Sequence, residues 1–312
     1  MGSRKLQILK DILGVFYSSG DECLFYCPKC NHHKKKLSIN LKVDKFKCWV
    51  CEYAGNTIYR LIRRHGSYNQ RKEWENLTGK VNLAEFDFLF DSDQEEEELT
   101  QRTSLPEEFV SLANKKRSLA SLPARKYLRD RGVTRKDILR WKMGYCYSGE
   151  YEGRVVIPSF NNEGYVNYFV ARAYNGSWKK YKNPSVSRDI VFNSLYVDWQ
   201  EDLSIVEGVF DAIVAGPNSI PILGSALREG SKLFREIVKN DTPVYVALDP
   251  DAEKKAIKLI KNLLTYGVEL YKIDISPYSD VGEMTKEEYL HRKEKAIPMT
   301  EESLLLYQAI NL

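Results

Sequence analysis

The sequence predicts a multi-domain chain of α+β and α/β class: a small cysteine-paired ribbon at the N-terminus, an acidic linker, then a core containing a parallel-sheet module. Three observations carry this. Cys27-x-x-Cys30 and Cys48-x-x-Cys51 stand seventeen residues apart. Residues 81–101 hold eight acidic side chains and no basic one. Two β-branched runs, Leu203–Val206 and Val244–Leu248, end on carboxylates and lead into helical patterns, and strands alternating with helices argue a parallel sheet. The 312 residues leave room for more than one domain. The boundaries read as ribbon 1–80, linker 81–104, first part of the core 105–200, sheet module 201–285 and tail 286–312.

The net charge of +4 is unevenly spread: residues 1–80 carry 16 Lys/Arg against 7 Asp/Glu. Such a basic block suits a phosphate-rich partner. No stretch approaches 18 apolar residues and no signal-peptide pattern occurs, so a soluble, cytoplasmic, non-secreted protein without a membrane partner is expected. Six cysteines, four of them in Cys-x-x-Cys pairs, point to metal rather than disulfides.

In chain order, Leu6, Leu9, Ile12, Leu13 and Phe16 recur at helical spacing, which predicts an amphipathic helix over 4–16. The two knuckles, Cys27/Cys30 and Cys48/Cys51, bring four thiolates to one tetrahedral site, a structural Zn²⁺ ribbon with one ion per chain. The intervening length fits a short β-hairpin. His32 and His33 are second-choice ligands, and Cys23 and Cys146 read as ordinary thiols. Lys34, Lys35 and Lys36 lead into an alternating strand over 37–41, and Lys45, Phe46, Lys47 and Trp49 run into the second knuckle. Cations interleaved with aromatics suit single-stranded nucleic acid, with charge for phosphates and flat faces for bases; the plain alternative is a solvated lysine face over aromatic core. Ala54 to Thr57 is a glycine turn entering a helix at Ile58. The acidic tract reads as a solvated tether, or as a competitor for the basic site.

Residues 105–150 read as helical, with a helix from Leu122 stopped at Gly132 and Thr134 capping a second over 135–141. Strands follow over 154–158 and 165–173 around an Asn-Asn-Glu-Gly turn. In an open α/β sheet, ligands gather at the carboxyl ends of strands, which brings Glu207, Asp249 and Asp251 to one edge. Three carboxylates repel unless a cation joins them, and Mg²⁺ suits such a place. A helix over 211–215, a strand over 219–223, a helix over 226–239, a helix after Asp251 and a strand over 268–273 complete the module.

Glu207-Gly208, Asp249-x-Asp251 and Ser279–Glu283, each after a strand, resemble the Toprim catalytic module shared by DnaG-type primases, topoisomerases and some nucleases. The knuckles, the lysine-rich middle strand and the Gly55-Asn56 tail resemble the zinc-binding domain of DnaG-type and phage primases, although Cys30 stands where many carry histidine. Tyr127-Leu128, Arg131-Gly132-Val133, Ile138 and Gly144-Tyr145 resemble the opening of the primase polymerase core. The resemblance implies a DNA primase, a DNA-directed RNA polymerase that joins ribonucleoside triphosphates into short RNA primers on single-stranded DNA, leaving an RNA–DNA product.

It further implies catalytic Mg²⁺ or Mn²⁺ on Glu207, Asp249, Asp251 and Asp280, with Glu207 either a ligand or the general base. Arg154, Arg172 and Lys180 would line the path of template, primer or triphosphate. Lys182 or Arg188 would replace a lysine lost to Phe192-Asn193, ahead of an expected strand at Leu195-Tyr196. Lys34, Lys36 and Trp49, or Phe46, would meet the template. No Gly-x-x-x-x-Gly-Lys-Ser/Thr loop occurs, so the replicative helicase is expected on another chain. The length is closer to phage-encoded primases, which would place the protein in a host cytoplasm. The other readings are a Toprim nuclease or topoisomerase-like enzyme, or a non-catalytic zinc-ribbon DNA-binding or recombination-mediator protein.

Overall fold

A stripe of apolar residues one helical turn apart builds the first element, α1 (Gly2–Leu13). Ile8 and Leu9 are buried, and Leu6, Ile12 and Leu13 pack beside them. The helix ends earlier than the spacing predicts because Gly14 turns left-handed at φ +83°, a conformation that only glycine adopts freely. Phe16 therefore reaches the core from outside the helix and stacks on Phe25 with ring centroids 5.3 Å apart. The computed structural model describes residues 2–19, 21–78, 101–114, 118–224 and 231–311. These fall in two units: one comprises Met1–Leu99 with Val238–Asp241 and Thr265–Val268, the other Thr100–Ile237, Thr242–Leu264 and Glu269–Leu312.

In the first unit five short strands form an antiparallel sheet in chain order: β1 (Tyr17–Ser19), β2 (Glu22–Phe25), β3 (Leu37–Asn40), β4 (Lys45–Cys48) and β5 (Ala54–Gly55). The β3–β4 pair is the hairpin expected between the knuckles, with Leu37 opposite Cys48 and Asn40 opposite Lys45. Helices α2 (Ile58–His65) and α3 (Tyr68–Thr78) follow. Ile58, Leu61, Ile62 and Trp74 close the core over Leu37 and Ile39, each full burial worth roughly 1.5–3 kcal/mol against exposure. The acidic tract expected over 81–104 lies outside the described residues as far as residue 100. Residues 101–104 belong to the core rather than a tether: Thr103 N–H donates to the Val166 carbonyl at 2.8 Å, and the Gln101 amide donates to Asn167 at 2.8 Å.

The second unit opens with a four-stranded antiparallel sheet, β6 (Val110–Ser111), β7 (Gly144–Cys146), β8 (Arg154–Phe160) and β9 (Val166–Ala173), in that order. The expectation of helix throughout 105–150 is corrected here. Helices α4 (Leu122–Asp130) and α5 (Arg135–Arg140) do form, with Gly132 left-handed at φ +71° between them and Thr134 capping α5 in a reciprocal box with Asp137,. On either side, however, β6 pairs with β7. Gly144 permits it, because a side chain there would overlap the Phe109 ring.

The remaining strands form the expected parallel sheet, in the order β11 (Ser219–Pro221), β10 (Leu203–Val206), β12 (Val244–Ala247), β13 (Leu270–Lys272) and β14 (Ile297–Pro298), only β14 being antiparallel. Helices α6 (Val209–Ala215), α7 (Lys232–Asn240) and α8 (Glu253–Thr265) connect its strands. Every residue of β10 is buried, Ser204 included, as expected for a parallel strand covered on both faces. After β13 come α9 (Lys286–Glu294), β14 and α10 (Glu301–Asn311). The tail drawn over 286–312 is thus part of the sheet module: β14 pairs with β13, and Tyr289 and Leu304 are buried. The expected strand at Leu195-Tyr196 is a 3₁₀ turn over Ser194–Tyr196, entered through Asn193 at φ 55°.

Candidate functional site

The parallel sheet carries its own switch point. From β10 the chain passes through α6 to β11 on one side, while from β12 it passes through α8 to β13 on the other. The crevice of such a sheet opens at the carboxyl ends of the two strands between which the direction reverses. β10 and β12 are those neighbours, with Val206 opposite Ala247. Glu207 leaves the first and Asp249 the second, on strands about 4.8 Å apart.

Asp249, Glu207, Asp211, Asp280 and Asp251 share one electrostatic environment. Burial, reinforced by the charges of Asp211, Glu207, Asp280 and Asp251, pushes Asp249 up to about 7. Asp211 is pushed up to about 6 by burial and by Asp280 and Glu207, against two backbone N–H groups that favour its ionised form. Its Oδ2 accepts Gly208 N–H at 2.7 Å and its Oδ1 accepts Gly282 N–H at 2.9 Å. Asp280 immediately precedes the 3₁₀ turn Val281–Glu283 that presents this second N–H. Asp251, in the turn Pro250–Ala252, is exposed. Glu207 Oε2 and Asp249 Oδ1 are buried without a hydrogen-bond partner, while Glu207 Oε1 lies 3.6 Å from Lys255 Nζ on α8. Two orphaned carboxylate oxygens among five acids suit a hard, oxygen-seeking cation.

Sequence reasoning missed Asp211 as a member of this edge, having read it only as the start of a helix. The available signal was an acid three residues past Gly208, at the position where a side chain returns to bond the helix's N-cap N–H. It also missed Lys255 and Arg131.

Basic and aromatic groups approach the same edge. Arg172 Nε donates to the Tyr127 hydroxyl at 3.1 Å, and its guanidinium lies 4.6 Å over the Tyr181 ring. The Tyr181 phenol is pushed up by burial, opposed by Arg172 and reinforced by the Asp211 charge. Arg131 lies 4.8 Å over Phe210, at the start of α6, and 5.3 Å over Tyr127. Arg154 is buried, and its guanidinium holds the Lys179 and Lys180 carbonyls at 2.9 and 3.3 Å, which shapes the loop between them and β9. Lys180 is exposed. Lys182 Nζ is engaged by the Glu150 carbonyl at 2.9 Å and the Glu150 carboxylate at 3.0 Å. Arg188 reaches the Leu223 carbonyl at 3.5 Å. Asn193, where a lysine was expected, is structural: its Oδ1 accepts Phe160 N–H at 3.1 Å, and its own N–H donates to Ser159 at 2.8 Å.

In the first unit the ligand atoms of Cys27, Cys30, Cys48 and Cys51 all lie within 4.8 Å of one another. Cys27 Sγ is 3.7 Å from Cys51 Sγ, and Cys30 Sγ is 3.9 Å from Cys48 Sγ. Tetrahedral zinc with bonds of about 2.3 Å separates its sulfurs by about 3.8 Å, so the four cysteines are positioned to bind one zinc ion. Asn31 and Glu52, the residues after each knuckle, are both left-handed at φ 49° and 56°, giving the two halves of the site the same turn. The His32 ring instead accepts Lys34 N–H at 3.1 Å, and His33 also stands outside the sulfur set. Cys23 and Cys146 are buried thiols, the latter pushed up to about 12 by burial.

The expected aromatic face of the ribbon needs correction. Phe46 is buried beneath Gly55, where an added side chain would overlap its ring. Lys36 is wholly buried, donating to the Tyr266 carbonyl of the same unit at 2.7 Å, and Lys34 pairs with Asp241 of that unit at 2.5 Å. Trp49 is half-buried, with Lys47 Nζ 5.6 Å over its ring. On the ribbon's strands and first knuckle, Tyr17 and Tyr26 are exposed, with Lys35 Nζ 3.7 and 5.1 Å over their rings.

No protein-family model matches the chain. The DNA primase of Thermotoga maritima is 27% identical over 176 residues, 50% of this chain and 31% of that protein. The matched stretch thus spans under a third of the relative's length. A DnaG primase catalytic domain bound to ssDNA superposes with a TM-score of 0.50 at 18% identity, covering 62% of this chain and 77% of that one. The RNA polymerase domain of Mycobacterium tuberculosis primase DnaG, in complex with double-stranded DNA, gives 0.50 at 16% identity, covering 60% and 77%. Among the described residues no helix is long and apolar enough to cross a membrane. Over half of its length the chain is thus similar in sequence to a DNA primase, and over about three fifths its fold is that of a DnaG primase catalytic domain.

Proposed function

We propose that the chain is a DNA primase, synthesising short RNA primers from ribonucleoside triphosphates on a single-stranded DNA template. The observation that carries this is the acidic edge: Glu207 and Asp249 leave adjacent strands at the switch point of the sheet, with Asp211, Asp251 and Asp280 acting on the same centre. The Thermotoga maritima relative is a DNA primase, which supports the same reading.

Asp249, Asp251 and Asp280 would hold Mg²⁺ or Mn²⁺, with Glu207 either a further ligand or the base that accepts the hydroxyl proton. Bound there, a divalent ion would neutralise charge on the phosphoryl oxygens and lower the pKa of the attacking hydroxyl. The 3′-hydroxyl of one nucleotide attacks the α-phosphorus of the next, and the bond to pyrophosphate breaks. Asp211 positions the groups, since one side chain ties the Glu207-Gly208 turn to the Asp280–Gly282 turn. Arg172, Arg131 and the exposed Lys180 supply positive charge for the triphosphate or the template backbone. Two untethered nucleotides meet in the first step, so holding them in place provides much of the rate.

The ribbon would contact the template through Lys35 with Tyr17 and Tyr26, and through Trp49 with Lys47. A helicase on another chain would supply single strands. Incubation with single-stranded DNA, ribonucleotides and Mg²⁺ separates the readings. Oligoribonucleotides support primase, cut DNA a nuclease, and binding without chemistry a mediator.

A further inference from the structure

Trp178 is 92% exposed, on the loop that joins Ala173 at the end of β9 to Tyr181. A fully solvated tryptophan leaves a large apolar surface in water, and the loop that carries it is firmly built. Buried Arg154 donates to the Lys179 and Lys180 carbonyls. Ala173 N–H donates to Lys180 at 3.0 Å, and Lys182 N–H to Ala171 at 3.0 Å. The ring therefore projects from a fixed base. Lys179 and Lys180 beside it are exposed, and among the described residues neither ammonium enters an ion pair. Three residues on, Tyr181 bridges to Arg172 beside the acidic edge, a reach of about 10 Å along extended chain. A flat apolar face with two unneutralised cations next to it matches a nucleobase and its flanking phosphates. It matches an apolar protein surface less well, because the lysines would have to be desolvated with it.

We propose that Trp178 stacks on a base of the single-stranded template close to the carboxylate edge, with Lys179 and Lys180 taking the adjacent phosphates. This deepens the primase reading by naming a template-positioning residue, and it is tested without nucleotides, Mg²⁺ or chemistry. Full-length protein is titrated with oligo(dT) and with an abasic oligonucleotide of equal length, following tryptophan emission and, by anisotropy of a labelled strand, affinity. Wild-type emission falls on binding oligo(dT), and most of that change disappears in Trp178→Phe, which keeps its affinity. Trp178→Ala weakens oligo(dT) binding by about 5- to 150-fold, the range of a lost base–aromatic stack, and leaves abasic binding unchanged. Circular dichroism and zinc content verify that the variants fold. Equal affinity of Trp178→Ala and wild type for oligo(dT), or an undiminished emission change in Trp178→Phe, would overturn the proposal. A protein that shows the predicted binding yet makes no primers would overturn the enzymatic reading alone.

Discussion

Asp211 Oδ1 accepts the backbone N–H of Gly282 at 2.9 Å, joining turns 71 residues apart in the chain. Its other oxygen holds Gly208 N–H, so one buried carboxylate fixes the turns that carry Glu207 and Asp280. Asparagine offers a single acceptor oxygen in place of two. Asp211→Asn should therefore leave one buried N–H unpaired, at about 1–3 kcal/mol, and lower primer synthesis by about 10- to 100-fold through misplacement. Thermal melting and a primer-extension assay measure the two effects; normal activity in a destabilised protein would remove the positioning role.

A Cβ at residue 282 would lie 2.9 Å from Asp211 Oδ1 and 3.1 Å from Asp280 Oδ1. Gly282→Ala should thus push the two carboxylates apart, costing roughly 1–3 kcal/mol by overpacking and most of the activity. Gly164→Ala is the control: it sits at φ +84° with no neighbour within 4 Å of the added atom, so it strains the backbone and should spare activity per folded molecule. Comparable activity losses in the two variants would contradict the account.

Asp249 and Asp211 are held up at about 7 and about 6, from an ordinary 3.8, by burial first and neighbouring carboxylates second. Between about pH 4 and pH 7 the native state keeps protons that the unfolded chain has released, so stability contributed by these groups falls as pH rises through that window. Metal-free protein should consequently melt lower at about pH 8 than at about pH 5. Mg²⁺ should raise the melting temperature more at the higher pH, and Asp249→Asn should raise it there without metal while abolishing synthesis. Melting curves at the two pH values check the sign; a metal-free Asp249→Asn protein less stable than wild type at the higher pH would reverse it.

Much of this arrangement could be read in the sequence, and the reasons are local. Cys27, Cys30, Cys48 and Cys51 are legible because thiolate spacing alone defines the site. Glu207 and Asp249 are legible because strands of β-branched residues end on them. Asp211 was missed because its role depends on Gly282, a contact across 71 residues that no periodicity records. Strands β6 and β7 escaped notice because they hold two and three residues, too few to show alternation. Lys36 and Phe46 looked outward because charge and aromatic interleaving says nothing about which face of a ribbon is covered.

Arg154 donates to two backbone carbonyls of the loop that carries Lys180 and Trp178. Arg154→Met should cost about 1–3 kcal/mol for acceptors left without their donor and raise the KM for ribonucleotides by about tenfold, with kcat less affected. Arg154→Lys, able to satisfy one carbonyl, should recover part of the KM. A direct contact to the triphosphate would instead show as a fall in kcat that lysine restores in full.

Cys48→Ser removes one of four sulfurs packed within 4.8 Å. Zinc content should fall from one ion per chain to near none, with loss of cooperative melting in the first unit and of template-dependent initiation. Elemental analysis and a dinucleotide-synthesis assay check both.

The most direct measurement compares dinucleotide synthesis by wild-type protein and Asp249→Asn on single-stranded DNA with ribonucleoside triphosphates and Mg²⁺, alongside their template affinity. The account predicts oligoribonucleotide products from the wild type, none from the variant, and equal template binding by both. Primer synthesis by Asp249→Asn at the wild-type rate would contradict it.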